Sequence, residues 1–420
     1  MKKKLLYFTS LLSIMLSGCN QITVISENSE PEQNYYIQEI AHLHLEDALD
    51  YLQTSENQNQ NNIRAVWIPV MLYENWMLNK SETEFRENMK TAFQNCVDLG
   101  INTVYLHVRA YADAYYHSNI FPTGIYLTHN YDPLEIMLEE AHALNLSAHA
   151  WINPMRAQTT QQLANLDTNY ILRQWYDNPE TNGTYLVNYN DRYYLNPAYP
   201  EVRQLIADGI TEILENYAVD GIHIDDYFYP TTDSNFDEKA FSESNATDLA
   251  EWRRSNCSEL IKLLYQTIKN YNPYIPFSIS PQGNFSINYD KLYADVKLWC
   301  SQEGYCDVII PQIYYGFENQ TCPFAETATL WAETATATDL VIGLGVYKTG
   351  MEDQWAGTGS TEWLTDSSVI AKQIEFVSNL DNANGVALYS YSSIFEPEQA
   401  VSALINAEKN HISELLLQEK

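Results

Sequence analysis

Positive charge is scarce in this chain: 23 Lys and Arg face 55 Asp and Glu over 420 residues, a formal net charge of −32. A surface this acidic repels nucleic acid and anionic lipid headgroups, and it leaves neutral glycans as acceptable partners. Cysteine is scarce too. The six present include no C-x-x-C pair, which argues against a zinc site and against a full disulfide framework. There is no Gly-x-Gly-x-x-Gly turn after an early strand, no P-loop, no His-Glu-x-x-His and no His/Cys cluster. Dinucleotide, nucleotide and metal chemistry are therefore not expected, and no cofactor is called for. The apolar run at residues 5–16 is far shorter than the ~20 residues that span a bilayer core.

That run has the layout of a secretory signal. Met1-Lys2-Lys3-Lys4 is basic, residues 5–16 are apolar, and Leu16-Ser17-Gly18-Cys19 resembles the bacterial lipobox, whose cysteine is diacylated and becomes the mature N-terminus. The expectation is a signal peptide over 1–18, a lipid on Cys19, and a protein held outside the cytoplasm on a bacterial membrane. Removing 1–18 takes away three lysines and no acid, leaving 20 basic against 55 acidic residues and a formal charge of −35. Residues 19–62 are polar and rich in Asn, Gln, Glu and Ser, and read as a tether with one amphipathic helix at 37–52. Cys96, Cys257, Cys300, Cys306 and Cys322 remain, an odd number whose pairing the spacing leaves open.

What the chain does have, from residue 63 onward, is alternation. Short apolar runs at 64–70, 103–108, 147–152, 221–225, 277–280, 308–314, 341–347 and 385–391 are separated by helical patterns such as 83–99, 133–144, 201–217, 246–270 and 371–380. Eight strands alternating with helices over 63–420 predict an α/β fold, a (β/α)8 TIM barrel with loop insertions. Within the runs, aliphatic residues alternate with polar or aromatic ones: Tyr105, His107, Arg109, Tyr111 and Asp113 on one parity of the second run, His223 and Asp225 on the fourth. The same split gives His149, Trp151 and Asn153; Ser278, Ser280 and Gln282; Gln312 and Tyr314; Tyr389 and Tyr391. Barrel lumens are usually filled with Val, Ile and Leu, so hydrogen-bonding groups gathered towards strand C-termini predict a site on that face. Aromatics are plentiful, with 32 Tyr and 9 Trp. Many will serve core and surface, but such rings also stack on sugar faces.

The fourth run ends in Asp225-Asp226, two carboxylates where a barrel strand meets its loop, placed to act as acid, base, nucleophile or substrate orienter. The competing reading makes Asp225 a structural acceptor and Asp226 a loop cap. The other candidates are substrate contacts: Arg109 as a carboxylate clamp or a support for Asp225; Trp151 as a stacking platform; Asn153, Gln282 and Gln312 as partners for hydroxyls or an acetamide; and Asp113, His223, Tyr227, Tyr314 and Tyr391 around them. His223 is more readily a satisfied lumen histidine than a catalyst.

Taken together, Arg64-Ala65-Val66-Trp67, Asn102-Thr103-Val104-Tyr105, Ala150-Trp151-Ile152-Asn153-Pro154, Leu195-Asn196-Pro197, the run from Asp220 to Pro230, Ser278-Ile279-Ser280-Pro281, Ile310-Pro311-Gln312-Ile313-Tyr314 and Gly343-Leu344-Gly345 resemble the bacterial glycosyl-hydrolase-like-10 lipoproteins over about residues 63–410. The resemblance implies a glycoside hydrolase acting on cell-envelope polysaccharide. Members of the family include a divisome-localised hydrolase of peptidoglycan glycan strands stripped of their stem peptides, which makes such strands the leading substrate. Asp220-Gly221-Ile222-His223-Ile224-Asp225 also parallels the chitinase-type motif Asp-Gly-x-Asp-x-Asp-x-Glu, with Tyr227 where the proton-donating Glu would stand. The proton must then come from Asp226 or from another loop, where Asp113, Glu318, Glu352, Asp353 and Glu396 are the candidates. The expectation is that Asp226 is the general acid, its pKa raised by its like-charged neighbour, while Asp225 stabilises the oxocarbenium centre or steers an acetamide. The alternatives are a hydrolase of another extracellular glycan, and a non-catalytic carbohydrate-binding lipoprotein, for which Tyr227 is the best support.

Overall fold

The computed structural model describes residues 62–418. The expected leader, lipidated Cys19, and the expected tether helix at 37–52 fall outside the described residues. Eight parallel strands close into a barrel: β1 (Ile63–Ile68), β2 (Thr103–Arg109), β3 (Ser147–Ile152), β7 (Gly221–Ile224), β8 (Phe277–Ile279), β9 (Val308–Ile309), β10 (Asp339–Gly345) and β11 (Ala383–Tyr389), with β11 pairing back onto β1. The intervening β4 (Arg156–Thr159), β5 (Leu186–Tyr189) and β6 (Arg192–Leu195) form a separate antiparallel sheet inserted after β3. Each barrel strand starts within two residues of its expected run. The ends differ where local chemistry intervenes. The 308–314 run loses strand geometry after Ile309 because Pro311 has no N–H to donate; the ladder resumes where Gln312 N donates to Pro281 O at 2.9 Å and Ile313 N to Gly343 O at 2.9 Å.

Helices surround the sheet, among them Glu82–Leu99, Pro133–His142, Pro200–Asn216, Leu249–Tyr271, Val369–Ser378 and Ser402–Gln418. Their starts follow from side chains that accept the orphan N–H groups of the first turn. Ser81 and Glu84 form a reciprocal capping box, and Asp132 caps a helix that opens with Pro133. Aliphatic strand residues such as Val104, Leu106, Ile222 and Ile224 face these helices in one continuous core. Ala65, Trp67, Tyr105, Trp151, Val308, Ile310, Val341 and Ala387 fill the lumen as a second, smaller core. The period-2 alternation read from the sequence therefore separates two apolar environments. Gly221 opens β7 with no side chain because a Cβ there would meet the His149 ring at 2.3 Å.

Candidate active site

An open cleft of about 340 Å³ lies at the C-terminal end of the barrel strands. The strand tips supply Trp67, His107, Trp151 and Tyr389, and the loops supply Asp225, Asp226, Tyr227, Gln282, Gln312, Tyr314, Tyr347 and Lys348. Among the described residues, Asp225 and Asp226 are the only carboxylates that line it.

Asp225 follows β7 directly and is 3% exposed. Trp151 Nε1 donates to its Oδ2 at 3.1 Å, and Tyr227 N approaches Oδ1 at 3.4 Å. Burial, followed by the charge of Asp226, pushes its pKa well above the ordinary carboxylate range. Asp226 is better served: Gln282 Nε2 donates to Oδ2, and Gln312 Nε2 donates to Oδ1 at 3.0 Å. Burial raises the Asp226 pKa too, but the two amide donors oppose that shift by favouring the charged form. The repulsion of the neighbouring charge, expected on Asp226, is a leading influence on Asp225 instead. Gln282 and Gln312 were expected as substrate contacts; here their amides fix a carboxylate.

Beneath the pair, Trp67 Nε1 donates to His223 Nε2 at 3.0 Å. His223 Nε2 is thus the acceptor, the ring proton sits on Nδ1, and that proton is shared with Ser278 Oγ at 2.8 Å. Burial holds His223 well below its usual pKa and holds His107 near 3, so both are neutral imidazoles. His223 is a satisfied lumen histidine outside the cleft lining. Trp151 lines the cleft, but one face of its indole is stacked on His107, with centroids 3.7 Å apart and planes at 9°. Tyr227 stands on the rim, 41% exposed, with the Arg156 guanidinium 4.0 Å above its ring. Tyr314, Tyr347 and Tyr389 make an aromatic wall opposite, Tyr314 and Tyr389 stacked at 5.6 Å.

Besides His223, four expected contacts lie elsewhere. A register shift between His107 and Arg109 places Arg109 opposite Ile152, so it takes that residue's outward parity and packs over Phe121 at 4.5 Å under the helix Pro200–Asn216. Asp113 accepts from Ala110 N at 3.1 Å and Tyr111 N at 2.9 Å, which makes it a cap of its own loop. Asn153 donates to Ala110 O at 3.0 Å and steadies the same loop. Tyr391 has left the strand for a short helix, Tyr391–Phe395, and packs edge-on to Trp76 while Asn95 Nδ2 donates to its hydroxyl at 2.9 Å. Glu318, Glu352, Asp353 and Glu396 do not line the cleft; Asp353 is paired with Lys348 at 2.6 Å, and Glu396 accepts from Trp76 Nε1 at 3.1 Å. Sequence reasoning passed over Trp67, Arg156, Tyr347 and Lys348. The inward parity of Ala65 and Trp67 carried a signal for the first; Arg156 sits on the unforeseen inserted sheet.

Among the described residues, no group of three or more His, Cys, Asp or Glu side chains converges as a metal site, and no helix is long and apolar enough to cross a membrane. Cys96, Cys257, Cys300, Cys306 and Cys322 are all free thiols.

Residues 62–357 match the family model described as glycosyl hydrolase-like 10. The chain is 33% identical to the glycosyl hydrolase YngK of Bacillus subtilis (strain 168) over 323 residues, 69% of this chain and 62% of that protein's length. It is 30% identical to the glycosyl hydrolase DigH of Escherichia coli O6:H1 over 393 residues, 83% of this chain and 87% of that protein. Among solved structures, the catalytic domain of the β-amylase of Paenibacillus polymyxa superposes with a TM-score of 0.55 at 10% identity, covering 85% of this chain and 99% of that one; at so low an identity the likeness concerns the fold.

Proposed function

The chain belongs to the glycosyl hydrolase-like 10 family and is a glycoside hydrolase, and on that premise we propose that it cleaves a β-linked amino-sugar glycan of the cell envelope, peptidoglycan strands without stem peptides, in the cleft above β7. The observation that carries this reading is the pairing of Asp225 with Asp226 as, among the described residues, the sole carboxylates of an aromatic-walled cleft. Glycosidic cleavage needs one group to protonate the leaving oxygen and negative charge to support an oxocarbenium-like centre. Asp226, held between two amide donors, is suited to the charge. Asp225, less well solvated and repelled by Asp226, is suited to hold the proton. In this scheme Asp225 gives its proton to the glycosidic oxygen as the C–O bond breaks. Water then adds its hydroxyl to the anomeric carbon and returns a proton to Asp225. The basic and apolar leader with Leu16-Ser17-Gly18-Cys19 supports an extracytoplasmic protein anchored through lipid on Cys19.

Mass spectrometry of products from stem-peptide-free strands tests the reaction. Asp225→Asn and Asp226→Asn should each lose on the order of 10²–10⁴ in rate. On an aryl glycoside whose leaving group needs no proton, Asp225→Asn should recover and Asp226→Asn should not. Recovery by Asp226→Asn alone would reverse the two roles, and wild type that binds strands without releasing fragments would exclude hydrolysis of this glycan.

A further inference from the structure

In a chain so rich in acids, arginines find carboxylates easily. Arg86 pairs with Glu139 and Glu140, Arg173 with Asp177, Arg253 with Asp237 and Arg254 with Glu251. Arg156 lines the cleft and, among the described residues, pairs with none. Its guanidinium lies 4.0 Å over the Tyr227 ring and 4.9 Å over that of Tyr111, whose ring also packs against Arg192 at 4.1 Å. Among the described residues the Arg156 side chain has no hydrogen-bond partner, and its Nε is shielded from solvent. Stacking occupies the flat faces of a guanidinium and leaves its in-plane fork of N–H donors for a planar acceptor. The nearby carboxylates do not fill that need: Asp225 is held by Trp151, and Asp226 by Gln282 and Gln312.

We propose that Arg156 receives a carboxylate borne on a sugar of the glycan, so that the cleft selects an anionic amino-sugar polymer over a neutral one. The inference deepens the functional reading above and rests on its placement of glycan in this cleft. Net charge argues for neutral glycans only at long range; inside the cleft, the half-buried Arg156 guanidinium stands close enough to a bound sugar for a charge-assisted hydrogen bond, and the two cleft carboxylates already have donors of their own. Arg192, held to Ala157 O at 2.8 Å, adds positive potential from behind Tyr111.

The test compares strands carrying free sugar carboxylates with the same strands after their carboxyls have been converted to amides. For wild type, amidation should raise KM roughly tenfold or more, the loss expected for a hydrogen bond to a charged partner, with kcat changing much less. In R156M, with R156Q as a second variant should R156M fold poorly, the ratio of the two KM values should fall to near one, and R156K should restore part of it. Wild-type KM that ignores amidation, or an Arg156 variant that keeps the discrimination while its kcat–pH profile shifts, would overturn the proposal in favour of a role on the Asp225–Asp226 pair. If wild type cleaves neither strand, the proposed reaction has failed, and calorimetric affinities of both strands for wild type and R156M are then judged by the same ratio.

Discussion

A carboxyl group placed where Asp225 sits titrates against the fold. Burial favours its neutral form, so the folded pKa lies above the unfolded value of roughly 4. Below that value both states are protonated and the site costs nothing. As pH rises towards the folded pKa, the unfolded chain ionises more readily and the folded protein loses stability. Asp225→Asn should therefore match wild type in melting temperature near pH 4 and exceed it progressively as pH rises, while its turnover falls. A thermal shift that does not vary with pH would show that Asp225 is not held neutral by burial. The two acids were legible in the sequence because they are adjacent at a strand mouth. Arg109 was not, since the register shift after His107 turns it outward and leaves no trace in the order of residues. Tyr391 misled for a related reason: the alternation continues on paper after the chain has turned into a helix at Tyr391.

Between residue and barrel stand the loops and helices that hold Asp225 and Asp226 in register. Arg253, on the helix Leu249–Tyr271, reaches under the loop after β7 to bond Asp237 at 2.5 Å, Asp233 O at 2.7 Å and Tyr293 Oη at 3.2 Å. Both charges are fully buried. Arg253→Met leaves Asp237 without a counter-ion and should cost about 3–5 kcal/mol in denaturant unfolding. Asp237→Asn in the same background should recover part of that loss, an outcome that a simple packing defect would not give. Gly209 makes the opposite point about propensity. Alanine favours a helix interior by roughly 1 kcal/mol, yet a Cβ there would meet Arg109 Nη1 at 2.0 Å and Phe121 at 2.4 Å. Gly209→Ala should therefore lower stability, by about 1–3 kcal/mol, and an increase would mean that Arg109 swings aside freely. At this scale the helices were legible from periodicity. The inserted sheet was not, because Arg156-Ala157-Gln158-Thr159 is short and polar and gains its strand geometry from pairing with β6.

For the molecule as a whole, the leader predicts attachment rather than free diffusion. Wild-type protein should enter the detergent phase in a phase-partition assay and Cys19→Ala should remain aqueous; wild type in the aqueous phase would remove the anchor. The barrel's architecture was open to sequence reasoning because eight short apolar runs alternate with helical patterns. Which strand tips converge on one cleft was not, since that depends on closure in three dimensions. Closure also imposes a timetable. The seam joins β1 to β11, so Ile63 is paired with Gly385 and Val66 with Leu388. Bringing those ends together gives up the entropy of a loop of more than 300 residues. A ribosome delivers β1 long before β11, so the first strand waits with an open edge while most of the chain is made. Such an edge invites association with other chains, and contacts this distant in sequence form slowly. Tyr389, whose ring lies 6.0 Å from that of Trp67 across the seam, thus enters the cleft only when the last strand docks.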